Sequence, residues 1–218
     1  MPNLDLYEAM QTTRAVRKLR PDPIPHDVLQ RVLTAATWAP SGGNRQPWRI
    51  LVVRDAEAKG VLARLHQTHW TAYAARGREA LKALPEAARD RPERTLAAGD
   101  YLAEHFHEVP AVLVFCFDPG AVYITDNALG RPAVVGGASI YPAVQNTLLA
   151  CRAEGLGCVL TTLLCASERE VKPLLHIPDP WGTAAYVPIG YPVGRGHGPV
   201  QRRAVADMTF GDRWGQAL

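Results

Sequence analysis

The chain's apolar positions fall into short blocks whose spacing changes between helix and strand periods. Asp5 followed by Glu8, with Leu6, Ala9 and Met10 on one face, predicts a capped helix ending near positions 13–17. The proline-rich PDPIP connector that follows cannot be helix interior. Val28, Leu29, Val32, Leu33, Ala35 and Ala36 then recur at helical spacing, predicting a second helix over about 26–38 that runs into the loop APSGGN. WRILVV, at 48–53, reads as a short buried strand.

Positions 56–107 are rich in Ala, Arg and Glu with Pro85 and Pro92 as breakers, and read as helical surface segments and a mobile excursion, not a second domain. The dense Val/Leu/Phe run at 109–117, closed by Asp118-Pro119-Gly120, is the strongest strand signal. A largely apolar helix over 139–153 ends before Glu154-Gly155-Leu156-Gly157. Strands are predicted at 158–162 and 183–189, with Ser167 and Glu170 capping a short helix between them. The tail, about 193–218, is too polar and glycine-rich to build its own core and must lie on something. Helices mixed with scattered strands point to one α+β domain over 1–218.

Composition narrows the classes. With 24 basic and 21 acidic residues the formal net charge is only +3, too balanced for a nucleic-acid or membrane-surface protein. The longest apolar stretch, 111–117, falls far short of the roughly 20 residues of a membrane span. MPNLDLYEAM lacks the basic and apolar regions of a secretory signal, and Cys116, Cys151, Cys158 and Cys165 form no CxxC pair. These features predict a cytoplasmic protein with reduced thiols.

Several tempting motifs have plainer explanations. Gly194-Arg195-Gly196-His197-Gly198 opens no helix and reads as a flexible turn rather than a phosphate loop. His66 with His69, and His105 with His107, have no supporting ligands and read as surface histidines. Ser41 lies in PSGGN, not GxSxG. Three segments resist such readings. Arg14 and Arg17 sit three apart at a helix end, where complementing the helix dipole is an equally good explanation. The run from Ala39 to Trp48 is unusually dense in amide, hydroxyl and backbone donors, and Gln201-Arg202-Arg203 places a basic pair on the coreless tail.

TTRAVRKLRPDPIP, APSGGNRQPWRILVV, GGASIYPAVQNTLLACRAEGLGCVLTT, PIGYP and a late RR, in that order, resemble the FMN-dependent nitroreductase family, with 56–107 the part left uncovered. The resemblance implies a nitroreductase-like three-layer sandwich: a mostly antiparallel sheet wrapped by helices. It also implies an obligate homodimer, with the tail exchanged with the other subunit and the 139–153 helix at the interface. The cofactor would be FMN, with NAD(P)H as electron donor and a nitroaromatic, quinone or similar small molecule as acceptor in a ping-pong cycle; no nucleic acid or membrane partner is implied.

By the same resemblance, the phosphate would fall to the segment Thr13, Arg14, Ala15, Arg17 and to Arg202 and Arg203, since a dianion calls for guanidinium forks. Arg17 would be the cation beside the pyrimidine side of the reduced ring. Pro40, Ser41, Gly42, Asn44 and Gln46 would meet the flavin bound mainly by the other subunit. Leu160, Thr161 and Thr162 would place a donor at its central nitrogen, although β-branched residues are also ordinary in a strand. The chemistry would be carried by the cofactor, with no side chain as nucleophile. Thr13 and Ala15 depart from the family pattern, which has an arginine and a serine there. The alternative enzyme is a reductive dehalogenase, which the threonine run favours, or a flavin-cleaving relative. A flavin-sequestering protein without turnover is the alternative of another class.

Overall fold

The computed structural model describes residues 4–218. The opening Met-Pro-Asn, part of the stretch read above for a leader, lies outside the described residues.

Four strands, β1 (Trp48–Val53), β2 (Ala111–Phe117), β3 (Gly157–Cys158) and β4 (Gly182–Gly190), form one sheet in the order β1-β2-β4-β3 with every pair antiparallel. β2 is central and almost wholly buried, which is why its sequence is a continuous apolar run instead of an alternating one. Val112, Val114 and Cys116 face one way and Ala111, Leu113 and Phe115 the other, each set joining a separate core.

Helices cover both faces. α2 (His26–Thr37) and α5 (Tyr141–Ala153) pack together on the Leu113 side through Leu29, Val32, Ala143 and Val144. On the Val114 side lie α3 (Ala56–Lys82) and α4 (Asp90–His105), with the short α6 (Glu168–Leu174) contributing Val171. The fold is the α+β three-layer sandwich that the resemblance implies.

Residues 56–107, expected as surface helices and a mobile excursion, instead supply much of one core: Leu62 and Phe106 are wholly buried. Ala58, Leu62, His66, Trp70 and Ala74 form a buried line at spacing four along α3. Pro92 sits in the first turn of α4, where the missing N–H is tolerated. Other boundaries also shift. β3 stops at Cys158, and Thr161 makes only an isolated bridge to Tyr186. Ser167 does not cap α6 with its side chain; its hydroxyl lies 2.8 Å from His69 Nε2.

α1 (Leu6–Thr12) is capped by Asp5, whose carboxylate accepts from the N–H groups of Tyr7 and Glu8. Arg14 and Arg17 therefore lie beyond the helix, in an extended segment, and do not complement its dipole. That segment is stitched to the sheet margin: Val16 N–H donates to Cys158 O at 2.8 Å, Arg20 N–H to Tyr191 O at 2.7 Å, and Val193 N–H to Lys18 O at 2.9 Å. Gly157 makes the passage possible, since a Cβ there would stand 2.7 Å from both Val16 Cγ1 and Leu19 Cδ2.

The tail begins pinned to its own chain, with Gly198 and Val200 N–H donating to Thr12 O and Gln11 O, both at 3.0 Å. Beyond Val200 no residue is buried, and Trp214 is 91% exposed.

Gly157→Ala is expected to cost about 1–3 kcal/mol by overpacking against the stiff Val16 side chain. Urea denaturation checks it, and an unchanged midpoint would mean that the segment carrying Arg17 moves aside freely.

Candidate active site

Two adjoining clefts share one residue. The larger, of about 890 Å³, lies between the 14–18 segment, the first half of α4 and the tail, and is lined by Arg14, Ala15, Arg17 and Arg202 among others. The smaller, of about 210 Å³, is lined by Arg17, Leu160, Thr161 and Thr162 together with His66, Trp70 and Tyr73 of α3. Neither cleft has an acidic residue in its lining, whereas the larger has seven basic ones.

Arg17 stands at the junction. Its guanidinium is half-buried, and burial pushes its pKa below the usual arginine value, offset in part by the Tyr73 phenol. No carboxylate pairs with it among the described residues. A cation so desolvated and uncompensated is a mark of a site that expects an anion.

The neighbouring backbone is equally specific. Thr161 exchanges both backbone hydrogen bonds with Tyr186, at 2.9 Å each, and its hydroxyl accepts from Leu163 N–H at 3.3 Å. Thr162 is exposed to the cleft, and among the described residues neither its N–H nor its hydroxyl has a partner. Of the candidates at 160–162, Thr162 is the one with donors to offer.

Trp70 closes the small cleft from α3, donating its indole N–H to Asp100 at 2.9 Å while Arg78 holds the other carboxylate oxygen at 2.6 Å. The indole lies so flat on α4 that a Cβ at Gly99 would fall 2.0 Å from the ring.

The loop at 39–48 lies elsewhere. Pro40, Ser41, Gly42, Asn44 and Gln46 line neither cleft. Their loop is tightly wound, with Gly43, Asn44 and Gln46 at φ values of 58°, 52° and 48°. Ser41 Oγ accepts from Gln46 N–H at 2.9 Å, and Gly42 N–H donates to Ser139 Oγ at 3.0 Å. Two non-glycine residues in the left-handed region cost of order 1–3 kcal/mol each, a strain that natural loops retain chiefly at ligand sites. Thr13 and Arg203 also lie outside both linings, and the Thr13 hydroxyl donates to Ala9 O at 2.7 Å.

Comparison with known proteins identifies the family and the fold. The model of the nitroreductase family matches residues 10–191. The chain belongs to that family. It is 30% identical to an NADH dehydrogenase from Thermus thermophilus, covering 90% of this chain and 91% of the relative. It is 34% identical to a 5,6-dimethylbenzimidazole synthase from Rhodospirillum rubrum, covering 84% and 79%. The structure of oxidized iodotyrosine deiodinase bound to FMN and 3-iodo-L-tyrosine superposes with a TM-score of 0.67 at 25% identity, covering 94% of this chain and all of that one. No helix among the described residues is long and apolar enough to cross a membrane, and no cluster of His, Cys, Asp and Glu there has the geometry of a metal site.

Sequence reasoning missed His66, Trp70 and Tyr73 as lining residues of the smaller cleft. The spacing-four line along α3 was the available signal. His66, expected at the surface, is only 2% exposed and stacks on Phe106 at 4.7 Å. Burial, with a smaller contribution from His69, lowers its pKa to about 4. The unfolded chain takes up a proton near pH 6.5, but the folded chain resists it until about pH 4. The stabilising effect of neutral His66 is thus intact above pH 6.5 and is lost as pH falls toward 4, by about 1.4 kcal/mol per pH unit. His66→Leu is expected to flatten this part of the stability profile, measured by urea denaturation between pH 7.5 and 4.5.

Proposed function

We propose that this protein is an FMN-dependent oxidoreductase that takes hydride from NAD(P)H and passes the electrons to a nitroaromatic, quinone or similar acceptor in a ping-pong cycle. Arg17 carries the reading: a half-buried guanidinium with no carboxylate, set where a basic cleft meets a pocket rimmed by Thr162. The donor set suits a flavin mononucleotide. Arginine forks in the larger cleft fit a phosphate, and Arg17 with Thr162 fits the polar edge of a ring. Bound FMN supplies the ability to accept a hydride and return the electrons to a second molecule.

The chain's own residues have the complementary tasks. Arg17 holds positive charge against the side of the ring that becomes more negative on reduction. The Thr162 N–H and hydroxyl are donors for the atom that gains a proton. Trp70, Tyr73 and Leu102 form an apolar and aromatic wall against which a flat ring could lie. The relatives named NADH dehydrogenase and FMN-bound deiodinase support a redox role.

The working unit in this proposal is a homodimer. Support comes from the strained loop at 39–48, which lines neither of its own chain's clefts, and from the tail beyond Val200, in which no residue is buried. Exposed Trp38, at 75%, and Trp214 add apolar surface of the kind subunit contacts cover. A second reading, reductive dehalogenation or flavin cleavage, draws on the open Thr162 hydroxyl and on the relatives named deiodinase and 5,6-dimethylbenzimidazole synthase.

The purified protein should show flavin absorption bands that bleach on adding NADPH or NADH and recover with a quinone. A colourless protein that cannot be reconstituted with FMN would falsify the proposal. Recovery with a halotyrosine but not with a quinone would favour the second reading. Arg17→Ala should leave the fold intact, weaken FMN at least tenfold and lower the flavin's potential, as read by fluorescence titration and dye-coupled reduction. Ser41→Ala and Asn44→Ala should weaken FMN beyond what the small drop in melting temperature from the loop's lost hydrogen bonds explains, provided the dimer carries that loop to the partner's cleft.

A further inference from the structure

The larger cleft holds more positive charge than the residues considered so far account for, and the positions expected to grip a phosphate are poorly supplied with donors. Thr13 gives its hydroxyl hydrogen to Ala9 O, and Ala15 has no polar side-chain atom. Arg14 commits Nε and Nη2 to Gly196 O at 2.9 and 2.7 Å, and Arg202 commits Nη1 to Gln201 O at 2.8 Å. A phosphate monoester brings three terminal oxygens and nearly two negative charges. Arg17, with the N–H groups that Arg14 and Arg202 keep, meets it only from the side of the 14–18 segment and the tail.

The opposite wall supplies what is missing. Arg91 and Arg94 project from the start of α4, three residues apart and so on one helix face, and both line this cleft. Arg91 is tied through Nη1 to the Gln201 side chain, next to Arg202. Arg94 uses Nη2 for Asp90 at 2.6 Å. A guanidinium carries five N–H donors, so each arginine keeps most of its fork after its one contact.

We propose that Arg91 and Arg94 are the second wall of the phosphate cradle, gripping the terminal phosphate of the flavin mononucleotide in place of the contacts that Thr13 and Ala15 lack. The inference rests on the flavoprotein reading above and adds to it two binding residues from a helix outside the stretches that carry the family resemblance. The tie between Arg91 and Gln201 couples the cradle to the tail, so the anion is held between α4 and the residues around Arg202.

The test compares FMN with riboflavin, which differ only in the phosphate, by quenching of flavin fluorescence on the flavin-stripped full-length protein. The wild type is expected to bind FMN far more tightly than riboflavin. The Arg91→Ala, Arg94→Ala double variant should raise the FMN Kd at least 30-fold and leave the riboflavin Kd within twofold. The corresponding double lysine variant should recover part of the loss. Arg94→Ala alone, which leaves the Gln201 tie in place, should still raise the FMN Kd severalfold. Equal weakening of both flavins would overturn the proposal, since it would mean a general structural role. So would unchanged flavin affinities with a raised NADPH Kd, which would assign the pair to the nucleotide. A wild type that binds neither flavin would sink the flavoprotein reading itself, before any substitution is made.

Discussion

The hydrogen bond from Val16 N–H to Cys158 O determines where the next residue points. Because Val16 and Leu19 lie over Gly157 and are buried, Arg17 is directed away from the core toward the cleft between the segment and α4. The strand residue Cys158 is itself held by β4, whose central partner is β2. The position of one guanidinium thus depends on the whole antiparallel ladder. A site built on the margin of a rigid sheet needs little rearrangement to hold a charged ligand.

Arg31 shows what a structural arginine looks like in the same molecule. It meets Glu154 through two parallel bonds of 2.9 and 2.8 Å, with Asp27 at 2.8 Å, and joins α2 to the turn after α5. Arg17 has the opposite environment, with partial burial and no acid. Stability alone does not favour that arrangement, because the desolvation cost of a cation is offset only by an opposite charge. The same logic extends over the larger cleft, where seven basic side chains converge without a carboxylate in the lining. An anionic ligand would relieve this repulsion, so binding and local stability are linked.

Strain in the 39–48 loop belongs to the same pattern. Asn44 and Gln46 hold left-handed backbone conformations that the loop's own hydrogen bonds help maintain, and they line neither cleft of their own chain. Tail and loop alike present polar and aromatic groups that their own chain leaves uncovered, which is the physical support for the proposal that the flavin lies between two chains.

Much of the architecture was readable from residue order. The apolar run of β2 gave the strongest strand signal, and the helical spacing of α2 and the density of polar groups in APSGGN stood out locally. Arg17, Leu160, Thr161 and Thr162 were named through the family resemblance, and the structure brings them to one pocket. Less visible was the region 56–107, whose abundant Ala, Arg and Glu hid the buried line from Ala58 to Ala74, because one apolar residue per turn is a weak signal against many charged neighbours.

Local spacing and chemistry by themselves determined which segments form helices and strands and which residue types are suited to bind an anion. Only the tertiary structure decided that His66 is buried, that Thr161 is occupied by Tyr186 while the Thr162 N–H and hydroxyl have no partner among the described residues, and that Arg91 and Arg94 line one cleft with Arg17. Those facts depend on which element lies opposite which. That is set by the packing of distant segments against a shared sheet, and nothing in the immediate neighbourhood of each residue encodes it.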